Sequence, residues 1–315
     1  MQESPDLSVV VPFLNEEENI GRMYGAIVSA IEHLPLEFEL LFVDDGSTDG
    51  TLERARQLAN SDSRLRVIKF RRNYGQTPAM AAGIDHARGK VIVTMDGDLQ
   101  NDPRDIELLV GKINEGFDIV VGWRHKRQDK LITRKIPSMI ANRLIGHVTG
   151  VPIKDNGCSL KAYRADVIQR IPLYAEMHRF IPAMASLAGP RIAEVKVRHH
   201  PREFGASKYG LSRIYKVLLD LITIKTLAGF FSRPLAWFSI LALPFALIGI
   251  ATMGVSIASL MVDGVLSTSI AGTGLLFLVL ALFLFFNGAL GELIYQTGDI
   301  RPDDFIQHTN SQSRK

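Results

Sequence analysis

Two long stretches without a charged residue, near the carboxyl end of the chain, place the strongest limit on how it can fold. They cover residues 235–262 and 264–291, each has 28 residues, and only Asp263 separates them. A helix of about 20 apolar residues already crosses the hydrocarbon core of a bilayer. Two buried helices of a soluble core are the alternative, which the length of both stretches disfavours. We therefore predict a transmembrane hairpin over residues 234–294 and a polar cytosolic tail over residues 295–315.

The basic residues around the predicted hairpin lie outside its short connection. Those before the first stretch are Arg213, Lys216, Lys225 and Arg233, and those after the second are Arg301, Arg314 and Lys315. Because basic flanks stay on the cytoplasmic side of the plasma (inner) membrane, both termini and the preceding domain are predicted to be cytoplasmic. Residues 211–233 add periodic apolar residues to these charges, which predicts a basic amphipathic helix on anionic membrane lipids or an ordinary packing helix.

Small residues in the second stretch bear on assembly. Gly272, Gly274, Gly288 and Gly291 permit close contact between helices. We expect spans from different subunits to associate there, which predicts a homo-oligomer. The net charge of +3 is too small to indicate a nucleic-acid partner.

The first 125 residues alternate between apolar runs of strand length and stretches with helical periodicity. Strands are predicted at residues 7–13, 38–43, 65–70, 91–95 and 118–121, and helices at residues 16–31, 51–59, 77–87 and 103–113. Asn15 is predicted to cap the first helix, with Glu17 and Glu18 in its first turn. Strands joined by crossover helices indicate an α/β fold, with a mostly parallel sheet and helices on both faces.

Acidic residues follow three of these strands, where open α/β sheets bind their ligands. They are Glu16, Asp44, Asp45, Asp96 and Asp98. The turn after the first strand has no G-x-G-x-x-G, and the chain contains no G-x-x-x-x-G-K-[ST], so a dinucleotide fingerprint or a P-loop is disfavoured. Carboxylates repel phosphate unless a metal intervenes or they bind base and ribose instead. The pattern therefore predicts a site for a metal-bound nucleoside diphosphate, although a D-x-D pair can also be a solvated loop.

Four motifs carry a resemblance to a known family: VVVPFLNEEENI, FVDDGSTDGT, RRNYGQTPAMAAGIDHARG and VTMDGDLQNDP. In this order they resemble the inverting family-2 glycosyltransferases of the GT-A fold. The most similar subgroup is the polyprenyl-phosphate glycosyltransferases, such as dolichol-phosphate mannose synthases and bacterial undecaprenyl-phosphate glucosyltransferases. The resemblance implies a cytosolic GT-A domain over residues 1–210. It implies that Pro12, Glu16, Asp44 and Asp45 hold the nucleoside, and that Asp96, Asp98 and Gln100 hold Mg²⁺ or Mn²⁺ on the donor diphosphate.

The resemblance extends to an acceptor site. It implies that Arg124, Arg134 and Ser138 receive the phosphate of a polyprenyl phosphate, for which guanidinium groups have suitable geometry. Residues 155–160 resemble a D-x-x-(S/C)-G-F segment near the reacting sugar, but Ser159 and Leu160 depart from it. Asp155 is expected either to orient the sugar or a base, or to cap a helix. No base is strictly needed, because a phosphate monoester with a second pKa near ~6 is already a nucleophile at neutral pH.

A last motif resembles the family's R-x-x-G-x-S-K-(Y/F) loop, which implies that Arg202 and Lys208 cover the donor diphosphate. The predicted reaction is inverting transfer of a hexose from a nucleotide sugar, with UDP-glucose as first choice, to a polyprenyl phosphate. A mannose synthase that uses GDP-mannose and a non-catalytic membrane scaffold are the alternatives. A processive polysaccharide synthase is disfavoured, because the chain lacks a Q-x-x-R-W motif.

Overall fold

The computed structural model describes residues 4–125, 146, 151–171, 173, 180–185, 189–201 and 233–297. The chain divides into two compact units, Met1–Ile222 and Thr223–Lys315. A mixed sheet with helices forms the first unit, and two long helices form the described part of the second. Of the predicted interfacial helix over residues 211–233 and the predicted tail over residues 295–315, residues 211–232 and 298–315 lie outside the described residues.

The strands of the first unit, within the residues described, are β1 (Leu7–Phe13), β2 (Phe38–Asp44), β3 (Leu65–Lys69), β4 (Val91–Thr94), β5 (Ile119–Trp123), β6 (Lys161–Arg164) and β7 (Ile192–Lys196). The helices are α1 (Ile20–Ile31), α2 (Thr51–Ser61), α3 (Gln76–His86), α4 (Ile106–Asn114), α5 (Ala165–Ile168) and α6 (Ile181–Ala185), with a 3₁₀ turn at Pro103–Asp105. The five strands predicted from apolar runs are therefore confirmed within a few residues.

The strands form one sheet in the order β3-β2-β1-β4-β6-β5-β7. All neighbouring strands are parallel except around β6, which is antiparallel to both β4 and β5. The prediction of a mostly parallel sheet is confirmed. Strands β6 and β7 were not predicted, because two of the four residues of β6 are charged and β7 mixes Glu194 and Lys196 into its sequence.

Alternate residues of the central strands point to opposite faces of the sheet, and helices cover both. On one face Val9 and Val11 pack with Met23 and Ile27 of α1 and with Leu109 of α4. On the other face lie Val10 and Leu41, together with Ala79, Met80 and Ile84 of α3. Burial on both faces explains why β1 and β2 read as continuous apolar runs.

The segment before α1 differs from the prediction. Helix α1 begins at Ile20, so Asn15 does not cap it, and Asn15 instead adopts a φ of +53°. Its Oδ1 accepts a hydrogen bond from the Thr48 N–H at 2.8 Å. Glu17 accepts from the Gly50 N–H at 3.1 Å and pairs with Arg54 at 2.9 Å. The prediction that Asn15 caps α1 and that Glu17 and Glu18 lie in its first turn is wrong. The partners of Asn15 and Glu17 lie in and after the loop that follows β2, and Glu18 precedes α1.

The second unit contains α7 (Pro234–Asp263) and α8 (Thr268–Thr297). Over Pro234–Val262 and Thr268–Ile294 these helices are long and apolar enough to cross a membrane, with mean hydropathy 2.2 and 2.4. Only 17% and 11% of their most apolar windows are buried, unlike the core helices of a soluble protein. The hairpin is therefore confirmed as two candidate membrane spans, and Gly264 closes α7 in a left-handed conformation with φ +68°.

Glycines lie at the contact between these two helices. A Cβ on Gly274 would lie 2.7 Å from the Thr252 hydroxyl and 3.1 Å from the Met253 nitrogen. A Cβ on Gly288 would lie 2.7 Å from Phe238 Cβ. Gly274 and Gly288 thus allow α7 and α8 of one chain to pack together, whereas the sequence analysis assigned them to contacts between subunits. Among the described residues, no atom lies within 4 Å of a Cβ added at Gly272.

Candidate active site

The carboxyl ends of β1, β2 and β4 meet at one edge of the sheet. Asp45 follows β2 and donates its N–H to the Phe13 carbonyl at 2.9 Å, whereas Met95 follows β4 and donates to the Val10 carbonyl at 3.1 Å. Pro12 lies two residues beyond the last β1–β4 pair, Val10 with Thr94, so its missing N–H breaks no ladder hydrogen bond. The sheet therefore brings Pro12, Asp45 and the segment after β4 to one place.

The two aspartates after β2 have different surroundings, and both are buried. Both Asp45 carboxylate oxygens accept backbone N–H groups at the start of α3, from Tyr74 at 2.7 Å and Gly75 at 2.9 Å. Asp44 Oδ1 accepts from the Ser47 N–H at 3.2 Å, and its Oδ2 is buried without a hydrogen-bond partner in the described structure. Asp45 thus fixes the start of α3, and Asp44 retains acceptor capacity.

The loop after β4, residues 96–101, carries the predicted metal ligands. Gln76 at the start of α3 donates its side-chain amide to Asp96 Oδ1. Asp98 is 7% exposed, and its Oδ1 accepts from the Gln100 N–H at 3.2 Å. Leu99 adopts a left-handed φ of +58°, which costs a non-glycine residue about 1–2 kcal/mol. The loop is therefore compact and strained, and it holds Asp96 and Asp98 in one short turn.

Gly97 lets this loop lie directly against the end of β1. A Cβ at position 97 would collide with the Phe13 ring. Glycine is therefore required here for a close approach rather than for a positive φ.

Arg124 follows β5 and forms an ion pair with Asp155. Nε and Nη2 of Arg124 lie 2.7 and 2.8 Å from the two carboxylate oxygens, and both side chains are largely buried, at 13% and 5% exposed. Burial acts to lower the pKa of the Arg124 guanidinium, but the hydrogen bonds that it donates to the Asp155 carboxylate outweigh burial and raise that pKa. The helix-cap alternative for Asp155 is thus wrong, and Arg124 already has one carboxylate partner.

Ser159 and Lys161 complete the site from the strand β6 side. The Ser159 hydroxyl accepts hydrogen bonds from the Asp96 N–H at 3.2 Å and from the Asn101 side-chain amide at 2.8 Å. Lys161 is buried and donates from Nζ to the Asn156 carbonyl at 3.2 Å. Burial lowers the pKa of Lys161 to about 8, against the attraction of the Asp155 and Asp96 carboxylates.

Residues 8–171 match the family model described as glycosyl transferase family 2. The chain belongs to this family. Over 245 residues it is 49% identical to the dodecaprenyl-phosphate galacturonate synthase of Rhizobium johnstonii, covering 76% of this chain and 72% of the relative. Over 311 residues it is 37% identical to the undecaprenyl-phosphate 4-deoxy-4-formamido-L-arabinose transferase of Salmonella choleraesuis, covering 96% and 92%. It is therefore a glycosyltransferase, and the scaffold alternative is set aside.

A solved structure supports the GT-A fold of this family-2 glycosyltransferase. Glucosyl-3-phosphoglycerate synthase from Mycobacterium tuberculosis, in complex with Mn²⁺, UDP and phosphoglyceric acid, superposes with a TM-score of 0.53. The match covers 71% of this chain and 78% of that chain at 21% identity, which establishes similarity of fold alone.

The predicted site of the glycosyltransferase extends beyond the residues that the structure describes. Arg134, Ser138, Arg202 and Lys208 lie outside the described residues, so their roles stay predictions. The described residues that sequence reasoning missed are Gln76, Asn101 and Lys161. Gln76 lies inside the motif RRNYGQTPAMAAG, so the match of that motif could have identified it as a site residue.

The carboxylates of Asp96 and Asp98 could bind a divalent cation whose other ligands come from a substrate. Among the described residues, no group of three or more His, Cys, Asp or Glu side chains is arranged to hold a metal. Asp96 and Asp98 nevertheless offer carboxylates from one turn, and Mg²⁺ is commonly bound by one or two carboxylates plus substrate phosphates. A nucleoside diphosphate would then supply the missing ligands.

Proposed function

We propose that this glycosyltransferase transfers one sugar from a nucleoside diphosphate sugar to a membrane polyprenyl phosphate, with inversion at the anomeric carbon. The observation that carries the proposal is the similarity over 96% of the chain, hairpin included, to a transferase that acts with undecaprenyl phosphate. A lipid-linked acceptor also agrees with the two candidate membrane spans of the second unit, because such a substrate is confined to the bilayer.

The donor is held at the carboxyl ends of β1, β2 and β4. In this proposal Pro12, Glu16, Asp44 and Asp45 surround the nucleoside, and Asp44 Oδ2 is the buried acceptor that a base or ribose donor can satisfy. Arg202 and Lys208 are proposed to bind the diphosphate. Asp45 acts by holding the backbone of Tyr74 and Gly75, which sets where α3 begins beside the nucleoside.

Asp96, Asp98 and Gln100 are proposed to hold Mg²⁺ or Mn²⁺ on the donor diphosphate. The bound cation would supply charge stabilisation of the leaving nucleoside diphosphate. The protein contributes the fixed turn of residues 96–101, and Gln76 orients the Asp96 carboxylate by donating its amide to Oδ1. A solved protein of the same fold contains Mn²⁺ and UDP, which is consistent with this proposal.

The acceptor phosphate is proposed to approach from the side of Arg124, with Arg134 and Ser138 as further contacts. An oxygen of the phosphate forms the new bond to the anomeric carbon as the bond from that carbon to the donor diphosphate oxygen breaks. The phosphate is already anionic at neutral pH, so no side chain has to remove a proton. Asp155 positions Arg124, because a bidentate pair fixes the plane of the guanidinium.

The donor sugar is the finer part of the proposal. UDP-glucose stays a prediction from the sequence, since the two relatives are named for galacturonate and for 4-deoxy-4-formamido-L-arabinose. We propose UDP-galacturonate as the donor to test first, because the galacturonate synthase is 49% identical to this chain. GDP-mannose is the remaining alternative from the sequence.

The test is a transfer assay with purified protein in detergent and a short-chain polyprenyl phosphate. Labelled UDP-galacturonate, UDP-glucose and GDP-mannose are supplied separately with Mn²⁺ or Mg²⁺, with and without EDTA. We expect label from one donor to enter the organic phase as a single-sugar lipid, and EDTA to prevent it. Label that stays in water as free sugar, or that grows into polymer, would show that the acceptor is wrong.

Two proposals concern the membrane. We propose that the protein resides in the plasma (inner) membrane with both termini and the catalytic domain in the cytoplasm, where nucleotide sugars are available. Cysteine labelling of Ser267→Cys in the short connection, with a reagent that does not cross membranes, should succeed in intact cells only in this orientation.

We also propose a homo-oligomer, which crosslinking in native membranes would contradict if only monomer were found.

A further inference from the structure

The loop that carries Asp96 and Asp98 is tied at both ends to a single hydroxyl group. The Asp96 N–H, at the start of the loop, donates to Ser159 Oγ at 3.2 Å. The side-chain amide of Asn101, at its end, donates to the same oxygen at 2.8 Å. Asn101 and Ser159 are 4% and 8% exposed, so water competes little with these two hydrogen bonds.

A second observation shows why such a tie is needed. Leu99, between the two anchored ends, holds a left-handed φ of +58° that a leucine does not prefer. Backbone strain of this kind persists only when the surrounding structure enforces it. The carbonyl of Gln100 is also fixed, because it accepts the His200 N–H at 2.8 Å.

The hydroxyl belongs to a residue that departs from the pattern that this segment resembles. Ser159 stands where the D-x-x-(S/C)-G-F pattern has glycine, which has no side chain to offer. The hydroxyl at this position therefore adds two hydrogen bonds that a glycine could not make. Asn101 supplies the matching amide, and its Oδ1 also lies 3.8 Å from Cys158 Sγ.

We infer that Ser159 and Asn101 are positioning residues, which hold the turn of residues 96–101 in the geometry that binds the metal–diphosphate part of the donor. This inference rests on the proposed function for its catalytic consequence. Its structural core, a loop fixed through one hydroxyl, can be measured without any substrate.

The first test is amide hydrogen exchange of the full-length protein in detergent, followed on peptides that cover residues 96–101. Ser159→Ala removes the shared acceptor, and we expect exchange in this loop to accelerate about tenfold. Ser159→Thr retains a hydroxyl and should restore slow exchange. Equal exchange in wild type and Ser159→Ala would overturn the inference, whatever the enzyme transfers.

The matched control removes a hydrogen bond to the backbone carbonyl of Ser159 and not to its hydroxyl. The Thr94 hydroxyl donates to the Ser159 carbonyl at 3.0 Å, so Thr94→Val removes a nearby buried hydrogen bond but leaves both partners of the Ser159 hydroxyl in place. Thr94→Val should lower thermal stability yet leave exchange in residues 96–101 as in wild type. If it accelerated exchange as much as Ser159→Ala, general destabilisation would be the cause and the inference would fail.

The second test separates positioning from folding through the dependence of transfer on Mn²⁺. In Ser159→Ala and Asn101→Ala we expect the Mn²⁺ concentration for half-maximal activity to rise about tenfold, with the KM for polyprenyl phosphate unchanged. Because both residues act through one hydroxyl, the double variant should be little worse than either single variant. A wild-type enzyme that forms no lipid-linked sugar would refute the proposed function and leave the exchange result to decide this inference.

Discussion

The guanidinium of Arg124 and the carboxylate of Asp155 form a buried bidentate pair, with contacts of 2.7 and 2.8 Å between residues 31 positions apart. Arg124 directly follows β5, and Asp155 lies in the segment that leads into β6. Sequence analysis named both residues as site residues but gave them separate tasks. Their pairing means that a change in either one also changes the environment of the other.

Removing Asp155 should destabilise the protein as well as inactivate it. Asp155→Ala leaves the Arg124 charge buried without its main counter-charge, which typically costs about 3–5 kcal/mol. We expect a clearly lower Tm by fluorimetry in detergent, together with loss of transfer. The double variant Arg124→Gln/Asp155→Asn should recover much of the Tm but none of the activity. A Tm for Asp155→Ala equal to that of wild type would contradict a structural role for the pair.

Asp98→Asn should separate catalysis from folding. The amide is nearly the same size as the carboxylate, but it is a poorer ligand for a hard cation. We expect turnover to fall at least about 100-fold, while expression and membrane insertion stay close to wild type. Asp85→Asn, on the exposed face of α3, is the control and should retain full activity. Full activity of Asp98→Asn at low Mn²⁺ would refute the assignment of Asp98 as a metal ligand.

Glu39 should contribute stability that depends on pH. Burial acts to raise its pKa, but hydrogen bonds from the Arg88 N–H, the Ser8 hydroxyl and Arg66 outweigh it, so the pKa lies below its usual 4.5. Because folding favours the ionised form, this stabilisation is complete above pH 4.5 and is lost as the pH falls further. The Tm difference between wild type and Glu39→Gln should therefore be largest near neutral pH and shrink below pH 4.5.

Glu37→Gln is the control for that experiment, since Glu37 is exposed two residues earlier in the chain. It should change Tm by little at any pH. Glu39 pairs with Ser8 near the start of β1 and β2, whereas the proposed site lies at the other ends of these strands. A Glu39→Gln enzyme that folds should therefore keep its KM values, and a large rise in either KM would contradict a purely structural role.

Gly274→Leu should disrupt the hairpin, and Gly272→Leu provides a matched control two residues away. A side chain at position 274 would meet Thr252 and the backbone of α7, whereas a Cβ at position 272 would have no atom of the described structure within 4 Å. We expect Gly274→Leu to lower the Tm of the purified protein in detergent and to increase proteolysis between the helices. Gly272→Leu should behave like wild type in both measurements. Equal effects would mean that these helices do not pack through Gly274.

The sequence predicts the strands that are buried on both faces, because Val9 and Val10, and Leu40 and Leu41, belong to short continuous apolar runs. Such runs are typical of strands with helices on both sides. Sequence reasoning failed at β6, where Lys161 is charged and yet fully enclosed. A buried lysine is recognisable only when its surroundings are known, since nothing in the residues beside it distinguishes it from a surface lysine. The same limit hid the pairing of Arg124 with Asp155, which depends on where β6 lies in the sheet.

The positions of the aspartates at the sheet edge were predicted more completely than the contacts that support them. Asp44, Asp45, Asp96 and Asp98 follow predicted strands, so topology alone brings them to one edge. Gln76 and Asn101 were missed, because an amide that orients a carboxylate or a loop carries no sequence signature of its own. Glycines such as Gly274 indicated a close helix contact correctly, but a small residue does not specify which helix approaches it.

The reversed direction of β6 has one more consequence. Strand β5 ends, and β6 begins, at the edge of the sheet where β4 delivers its aspartates, so the chain from Trp123 to Lys161 leaves and returns at the same edge. The length of the connection between β5 and β6 can therefore change without altering the register of either strand. Evolution or a protein engineer could therefore exchange the residues between Arg124 and Asp155, where the acceptor contacts are proposed, while Asp155 and Ser159 keep their hydrogen bonds to Arg124 and to the loop after β4.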